Sequence, residues 1–261
     1  MLDRIRNCIC HPKWIGNYFK DKIRYIVAVT FLFLGVYVAV LALRIYTTEP
    51  FSEGSVKELT SAVIRGKESD VRYDDTTHRL TGSYCVYEGD DFQLIFLPEQ
   101  DVRATLGIQI LFLETEARVY YAGMKAQSYR YDQTVVSSFS LVDIQKNQSE
   151  DIYQFKILLG GVLDSTHLFF QTMVFLERLG MELGYFVILL ICMFVFTYFL
   201  NPSIEGKIRI KLVFYDAMIF FFVELLSVLF AMSWLQYVAL ILPIVYANIT
   251  FRHIVRVVVK Q

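Results

Sequence analysis

Residues 212–231 read LVFYDAMIFFFVELLSVLFA, a run of 20 residues in which Asp216 and Glu224 are the only charged side chains. At about 1.5 Å per residue in a helix, the run is long enough to cross roughly 30 Å of hydrocarbon. A carboxylate inside a bilayer costs several kcal/mol unless it is paired, neutralised or placed in a polar cavity. The run therefore predicts a membrane-spanning helix, and the two carboxylates are the first candidates for function.

Three other segments of the chain are also apolar and long enough to cross a bilayer. The chain is 55% apolar with a mean hydropathy of +0.44, and the excess is concentrated in these segments. The four predicted spans are residues 25–43, 184–200, 212–231 and 234–251. Only Met232 and Ser233 separate the last two spans, which predicts a tight antiparallel hairpin of helices.

Lysine and arginine are distributed unevenly between the predicted loops. The segments 1–24, 201–211 and 252–261 together hold 12 Lys and Arg against three Asp and Glu, whereas residues 44–183 hold 13 against 21. By the positive-inside rule, the first three segments are cytoplasmic and residues 44–183 lie outside. We therefore expect a multi-pass plasma-membrane protein with both termini in the cytoplasm. Its acidic outer part argues against nucleic acid as a partner.

Residues 44–183 are predicted to form a small α+β domain followed by a juxtamembrane helix. Apolar residues at helical spacing indicate a helix at 54–66. A second helix is predicted at 150–163. Runs rich in β-branched and aromatic residues predict a small antiparallel sheet. Its strands are expected at 83–87, 92–97, 108–113, 117–121 and 128–131. Residues 168–183 either extend the second span outward or lie along the membrane surface, and the sequence leaves both open.

The predicted fold class is an α-helical membrane protein with four transmembrane helices and a small α+β extracytoplasmic domain between helices 1 and 2. The outer domain contains no zinc-protease, nucleophile-elbow or phosphate-loop motif. Its nearest approach to a metal cluster, DDTTH at 74–78, is typical of a polar turn. Cys85 is the only cysteine in this part of the chain and has no partner there for a disulfide. The sequence therefore predicts no cofactor and no metal site.

The intramembrane candidates are Glu224, Asp216 and Asn248. Asp216 lies about one turn from Lys211 and is expected to pair with it near the cytoplasmic headgroups. Asn248, close to the cytoplasmic end of the fourth span, is expected to form hydrogen bonds between helices.

Glu224 is too deep in the predicted span to reach the headgroups easily. It needs a neighbour, for which Gln236, Tyr237, Ser227 and a group of another protein are all open. Its possible roles are also open: a glutamic acid that joins helices, a dock for a partner's membrane helix, or part of a proton or solute path.

Three stretches carry a resemblance to a known family: the basic start His11-Pro12-Lys13, residues 112–131 followed by FSLVD at 139–143, and the closing hairpin 207–255. In these the chain resembles a family of uncharacterised bacterial four-span membrane proteins with a domain of unknown function, some of which bear the name of maltodextrin-utilisation proteins. The resemblance implies a plasma-membrane protein of a monoderm bacterium that is accessory to carbohydrate uptake. It implies no catalytic residues.

The expected function is that of a non-enzymatic accessory or sensory integral membrane protein. Its outer domain and its intramembrane carboxylates would contact a partner, either another membrane protein or a second copy of the chain, within the lipid bilayer. The alternatives are a membrane-embedded enzyme acting on a lipid or lipid-linked substrate, with Glu224 or Asp216 as acid or base, and a small oligomeric channel or carrier.

Overall fold

The long apolar segments and the strand-forming segments belong to different parts of the chain. We describe a computed structural model that covers residues 2–49, 51, 53–89, 92–98 and 107–258. It divides into a helical unit, Met1–Thr47 with Val174–Gln261, and a sheet unit, Thr48–Met173. Of the predicted tail 252–261, residues 259–261 lie outside the described part.

Four helices of the described chain are long and apolar enough to cross a membrane. They are α3 (Ile23–Thr47), α7 (His167–Leu200), α8 (Gly206–Phe230) and α9 (Leu235–Val258). The segment 168–183, left open by the sequence, belongs to α7, which is one continuous helix of 34 residues.

Helix α8 is the centre of the helical unit. It packs against α3 and α9 along its length, and most of its side chains are buried. The hairpin between α8 and α9 is tight, as predicted: Ala231 adopts a left-handed conformation (φ 55°), and its backbone N–H donates to the carbonyl of Ser227. A residue in this conformation ends a helix by satisfying one of its last carbonyl groups.

The first residues of the chain are folded, which the sequence did not predict. They form α1 (Leu2–Cys10), α2 (Pro12–Ile15) and a 3₁₀ helix (Gly16–Lys20), and these pack against α8 and α9. Inward-facing side chains such as Cys8 and Ile15 are fully buried. We call residues 2–20 the N-terminal segment.

Asp21 connects this segment to the centre of the helical unit. It accepts two hydrogen bonds from the guanidinium of Arg4, at 2.7 and 2.9 Å, and one from the hydroxyl of Tyr215, at 2.7 Å. The paired Arg4 first, and Tyr215 second, hold the pKa of the Asp21 carboxyl below its ordinary value.

The sheet unit contains two sheets and three helices. A three-stranded antiparallel sheet has the order β2-β1-β8, and a five-stranded sheet has the order β3-β4-β5-β6-β7. The strands are β1 (Arg72–Asp74), β2 (Arg79–Thr81), β3 (Cys85–Glu88), β4 (Phe92–Phe96), β5 (Ile108–Phe112), β6 (Glu116–Tyr121), β7 (Met124–Arg130) and β8 (Phe139–Ser140). The helices are α4 (Glu53–Arg65), α5 (Leu141–Gln145) and α6 (Ser149–Ser165).

The prediction of a purely antiparallel sheet is wrong at one pair of strands, because β4 and β5 are parallel. Eleven residues separate these two strands, whereas β5, β6 and β7 follow one another through short turns. A parallel pair needs a long crossover connection, and an antiparallel pair needs only a hairpin turn. The parallel pairing of β4 and β5 is therefore indicated by the length of the connection between them and not by the residues of the strands.

The core of the sheet unit is aromatic. Phe96 on β4 stacks on Phe112 on β5 with ring centroids 4.5 Å apart, and Phe155 of α6 contacts both rings. All three side chains are fully buried. Helix α6 therefore covers the face of the five-stranded sheet that carries these rings.

The Arg4 and Asp21 pair should make the helical unit sensitive to acid. Because the pKa of folded Asp21 is lowered, its stabilisation is complete above the unfolded value of about 3.9 and is lost as the pH falls through the folded value. We expect the purified protein to be more stable than Asp21→Asn at neutral pH, and the difference in Tm to shrink only below roughly pH 4. Asp3→Asn is the control, since its carboxylate is mostly exposed beside Arg6. A difference between wild type and Asp21→Asn that stayed constant down to roughly pH 2 would contradict this.

Candidate functional site

A cluster of charged and polar side chains draws on all four long helices of the helical unit, and its arginine, Arg178, is 31% exposed. Arg178 of α7 places its Nη2 atom 3.0 Å from a carboxylate oxygen of Glu182, one turn further along the same helix. The same Nη2 is 4.0 Å from Oε2 of Glu224 on α8. Glu182 and Glu224 are 2% and 1% exposed, so both carboxyl groups lie inside the protein.

The other two helices contribute uncharged polar groups to this cluster. With its amide turned so that the oxygen faces the guanidinium, Gln236 of α9 accepts a hydrogen bond from Nη1 of Arg178 at 3.0 Å and also contacts Nη2. Tyr37 of α3 is fully buried, and its hydroxyl lies within electrostatic range of Arg178 and both glutamates. We call Tyr37, Arg178, Glu182, Glu224 and Gln236 the arginine cluster.

The arginine cluster contains one cation and two acidic groups. Within the described part of the chain, Oε2 of Glu182, Oε2 of Glu224 and the Tyr37 hydroxyl have no hydrogen-bond partner. Two ionised carboxylates would leave one uncompensated negative charge among apolar side chains, which is strongly unfavourable. The geometry therefore favours a state in which one of the two carboxyl groups holds a proton.

The position of the cluster follows from the helical repeat of α7. The buried residues of this helix recur every three or four positions, at Glu182, Phe186, Leu189, Met193 and Thr197. One face of the helix therefore carries Glu182 into the same interior as the apolar residues that follow. The adjacent turn brings Arg178 to Glu182 as an i, i+4 pair.

Sequence reasoning missed Arg178 and Glu182 because the second span was predicted to begin at residue 184. The signal was present, however. Glu182 lies four residues before Phe186, so it falls on the same apolar face of the helix as the predicted span. Extending that span towards residue 178 as one helix would have turned Glu182 towards Glu224.

Of the neighbours considered for Glu224, Gln236 belongs to the cluster through Arg178. Ser227 instead donates to the carbonyl of Met232, and Tyr237 is 72% exposed.

Asp216 lies in a second buried site, eight residues before Glu224 and so about 12 Å away along α8. It is fully buried and lies 2.7 Å from the hydroxyl of Thr250 on α9. The expected pair with Lys211 is not formed; the Lys211 ammonium group instead contacts the carbonyl of Phe19 at 3.4 Å. The N-terminal segment covers this region of α8 and α9.

The hydrogen bonds around Thr250 indicate which atom carries the proton. Its hydroxyl is 3.0 Å from the carbonyl of Pro12 and 2.7 Å from Asp216 Oδ1, but a hydroxyl has one proton to donate. Both contacts become hydrogen bonds if Asp216 is protonated and donates to Thr250, which in turn donates to Pro12. Among the residues that the structure describes, no cation lies beside the fully buried Asp216, which favours the same assignment. Asp216 and Thr250 together therefore tie α8 and α9 to the N-terminal segment.

Asn248 belongs to neither site. Its side-chain oxygen is buried and has no hydrogen-bond partner among the residues that the structure describes. The hydrogen bonds expected of it are made by its neighbours on α9: the Tyr246 hydroxyl donates to the carbonyl of Ile9 at 2.6 Å, and Thr250 forms the bonds described above. These bonds connect α9 to the N-terminal segment.

The described residues contain no group of three or more His, Cys, Asp and Glu side chains that could hold a metal ion. The DDTTH sequence is a turn between β1 and β2, in which the Asp74 carboxylate accepts hydrogen bonds from Thr76 and Thr77. This agrees with its interpretation as a polar turn.

Comparison of the chain with protein-family models, with curated proteins and with solved structures found no match. The family resemblance drawn from the sequence therefore stays a prediction.

Removing the arginine from the cluster should be far more harmful than removing an acid. Arg178→Met leaves two buried carboxyl groups without a cation, and we expect it to lower the free energy of unfolding by about 3–5 kcal/mol. Glu224→Gln keeps the shape and removes the surplus charge, so we expect a change within about 1 kcal/mol. The double variant should recover part of the loss. The measurement is equilibrium unfolding in mixed micelles.

Arg130→Met is the matched control, because Arg130 forms an exposed ion pair with Asp132 at 2.6 Å in the sheet unit. Such pairs contribute at most about 1 kcal/mol. Equal effects of Arg178→Met and Arg130→Met would show that the arginine cluster does not hold the helices together.

Proposed function

We propose that this chain is a non-enzymatic integral membrane protein with an accessory or sensory role. The four long apolar helices would lie in the plasma membrane, with both termini in the cytoplasm, and the sheet unit would lie outside. The positive-inside bias of the sequence supports this orientation. The exposed apolar side chains of α7, among them Val187, Ile188 and Ile191, support contact with lipid or with another membrane helix.

The observation that carries the proposal is the internal pairing of the intramembrane charges. Glu224 is buried among helices of its own chain, and its nearest cation is Arg178. The carboxylates therefore act within the helical unit, and recognition of a partner falls to the sheet unit and to the exposed helix faces. This shifts the expected role of Glu224 from a contact with the partner to a contact between helices.

One observation favours a second candidate, a small oligomeric carrier or channel. Glu182 and Glu224 share one arginine and can hold a proton between them, and intramembrane acids of this kind mark proton pathways in transporters. A membrane-embedded enzyme has less support, because the described residues place no nucleophile or second convergent base beside the two acids.

Cysteine accessibility tests the proposed orientation. In a background without native cysteines, Val135→Cys and Ser233→Cys should react in intact cells with a maleimide that cannot cross membranes. Lys207→Cys should react only after the membrane is permeabilised. All three side chains are exposed in the structure, so access depends on the side of the membrane. Labelling of Lys207→Cys in intact cells would overturn the proposed topology.

Purification from native membranes in a mild detergent, followed by mass spectrometry, tests the accessory role. We expect a membrane partner at comparable stoichiometry, retained by Glu224→Gln because that variant keeps the cluster folded. A protein that elutes alone or only with copies of itself would contradict an accessory role.

The second candidate has its own readout in the same material. A carrier would show proton uptake into reconstituted vesicles, abolished by Glu224→Gln. Vesicles with no flux above empty liposomes, together with a retained partner, would leave the accessory role as the only supported one.

A further inference from the structure

Strand β3 is an edge of the five-stranded sheet, and no described residue pairs with its outer side. Within the described part of the chain its one partner is β4, with Tyr87 opposite Leu94 and Val86 opposite Ile95. Just beyond it, the N–H of Gly89 donates to the carbonyl of Phe92 at 2.9 Å, which marks a hydrogen-bonded pair. Such pairs alternate along an antiparallel ladder. The backbone groups of Tyr87 therefore face β4, and those of Val86 and Glu88 face away from the sheet.

An open groove of about 930 Å³ lies on this free side, between β3 and the helix α4. Four residues of α4 line it at helical spacing: Glu58, Ser61, Ala62 and Arg65. The other wall is β3 itself, including Val86 and Glu88. The groove thus lies between a helix and the unpaired backbone of a strand.

The groove is held open by fixed contacts at the end of α4. A Cβ at Gly66 would overlap the ring of Tyr87, so only glycine allows the helix end to approach the strand this closely. The Tyr87 hydroxyl donates to the carbonyl of Lys67 at 3.2 Å, and Gln145 of α5 donates to the same carbonyl at 2.6 Å. These bonds set the distance between helix and strand, and a preformed site lowers the cost of binding.

The opposite edge of the sheet lacks this arrangement. Strand β7 pairs with β6 through a shifted register between Val119 and Tyr120, and it carries Lys125 among several exposed residues. A bulge and an exposed lysine are both features that protect an edge strand from pairing. Strand β3 has a regular register and no lysine or proline.

The charged side chains around the groove indicate what kind of partner it binds. The groove is lined by three carboxylates, Glu58, Glu68 and Glu88, against Arg65 and Lys67. The sheet unit as a whole, residues 48–173, holds 19 Asp and Glu against 11 Lys and Arg. Its field therefore attracts cationic chains and repels acidic ones.

The geometry points to a binding site for an extended, positively charged polypeptide segment, which adds to the sheet as a strand beside β3 and under α4. The hydrogen-bonding groups of Val86 and Glu88 pair with the backbone of the segment, and alternate side chains of the segment face α4. This inference rests on the proposed function and specifies how the sheet unit recognises its partner.

Selection of peptides on the purified full-length protein tests the site. The probe is a phage library of random twelve-residue peptides, panned on the protein in nanodiscs after depletion on empty nanodiscs. We expect cationic sequences without proline in their central residues, and the best of them is synthesised for titration. Failure to enrich any sequence over empty nanodiscs would overturn the inference.

Val86→Pro and Val86→Ala form a matched pair of variants. Proline removes the outward N–H without touching the ladder to β4, and edge strands tolerate it at such positions. Alanine removes the side chain and keeps the N–H. We expect Val86→Pro to weaken peptide binding about tenfold or more, and Val86→Ala by less than about threefold. Equal binding by both variants would overturn strand addition.

N-methylation of the peptide gives a readout that does not depend on any variant folding. A strand added to an edge uses every second amide, so methylation should abolish binding at alternate residues and leave the intervening ones unaffected. Binding that lacks this alternation and disappears in high salt would show adsorption to an acidic surface instead. If Val86→Pro instead abolished a dimer of the protein that binds no peptide, the groove would be a contact between copies, and the inference would be wrong.

The peptide-binding test and the co-purification experiment can give negative results independently of each other. Peptide binding with no partner in native membranes would refute the accessory role and keep the groove. A co-purified partner that Val86→Pro retains would refute the groove and keep the accessory role.

Discussion

The helical unit depends on the rule that a charge inside an apolar interior must have a partner. Arg178 meets this requirement for three helices at once, since it contacts Glu182 on its own helix, Glu224 on α8 and Gln236 on α9. Helix α7 has few close backbone contacts to its neighbours compared with the tightly packed α8 and α9, so its position depends more on long side chains. The side chain of Arg178 is long, and the planar array of donors on its guanidinium suits several acceptors simultaneously.

A similar constraint operates at the other buried acid of α8. No cation of the described chain lies beside Asp216, which is matched instead by the hydroxyl of Thr250 and, through it, by the carbonyl of Pro12. Pro12 is the first residue of α2, so this bond fixes the start of that helix against α9. The N-terminal segment is therefore part of the interior, and its packing depends on an acid of the central helix.

Most of the architecture follows from patterns that the sequence displays directly. Long, predominantly apolar runs mark the four long helices, and segments rich in β-branched and aromatic residues mark β3 to β6 and the end of β7. The sequence was less informative where the local residue pattern does not reflect the contacts that a segment makes with distant parts of the chain. The N-terminal segment looks like a basic, solvated start, because the buried contacts of Cys8 and Ile15 are to helices more than 200 residues away in the chain. The β1, β2 and β8 strands are two or three residues long, too short for any periodicity.

The candidate site shows the same division. Glu224 and Asp216 stand out in the sequence because an acid in an apolar run is costly wherever the helix lies. Their partners do not stand out, because Arg178 and Glu182 lie where polar and apolar residues mix, and only the phase of α7 shows that they face inward. A sequence therefore reveals where a buried charge needs compensation more readily than it reveals which residue supplies it.

The helical unit and the sheet unit differ in where their unpaired polar groups lie, and this difference indicates different roles. In the helical unit, the buried acids face polar groups of the same chain, which ties α7, α8 and α9 together, although single oxygen atoms of Glu182 and Glu224 have no hydrogen-bond partner among the described residues. In the sheet unit, the outward backbone groups of Val86 and Glu88 face an open groove, where a second strand can pair with them. An open groove buries no polar group in the free state, and pairing adds directional hydrogen bonds in the bound state. Recognition is therefore better placed at the edge of the sheet, and the buried acids are better understood as the means by which the helices hold one arrangement.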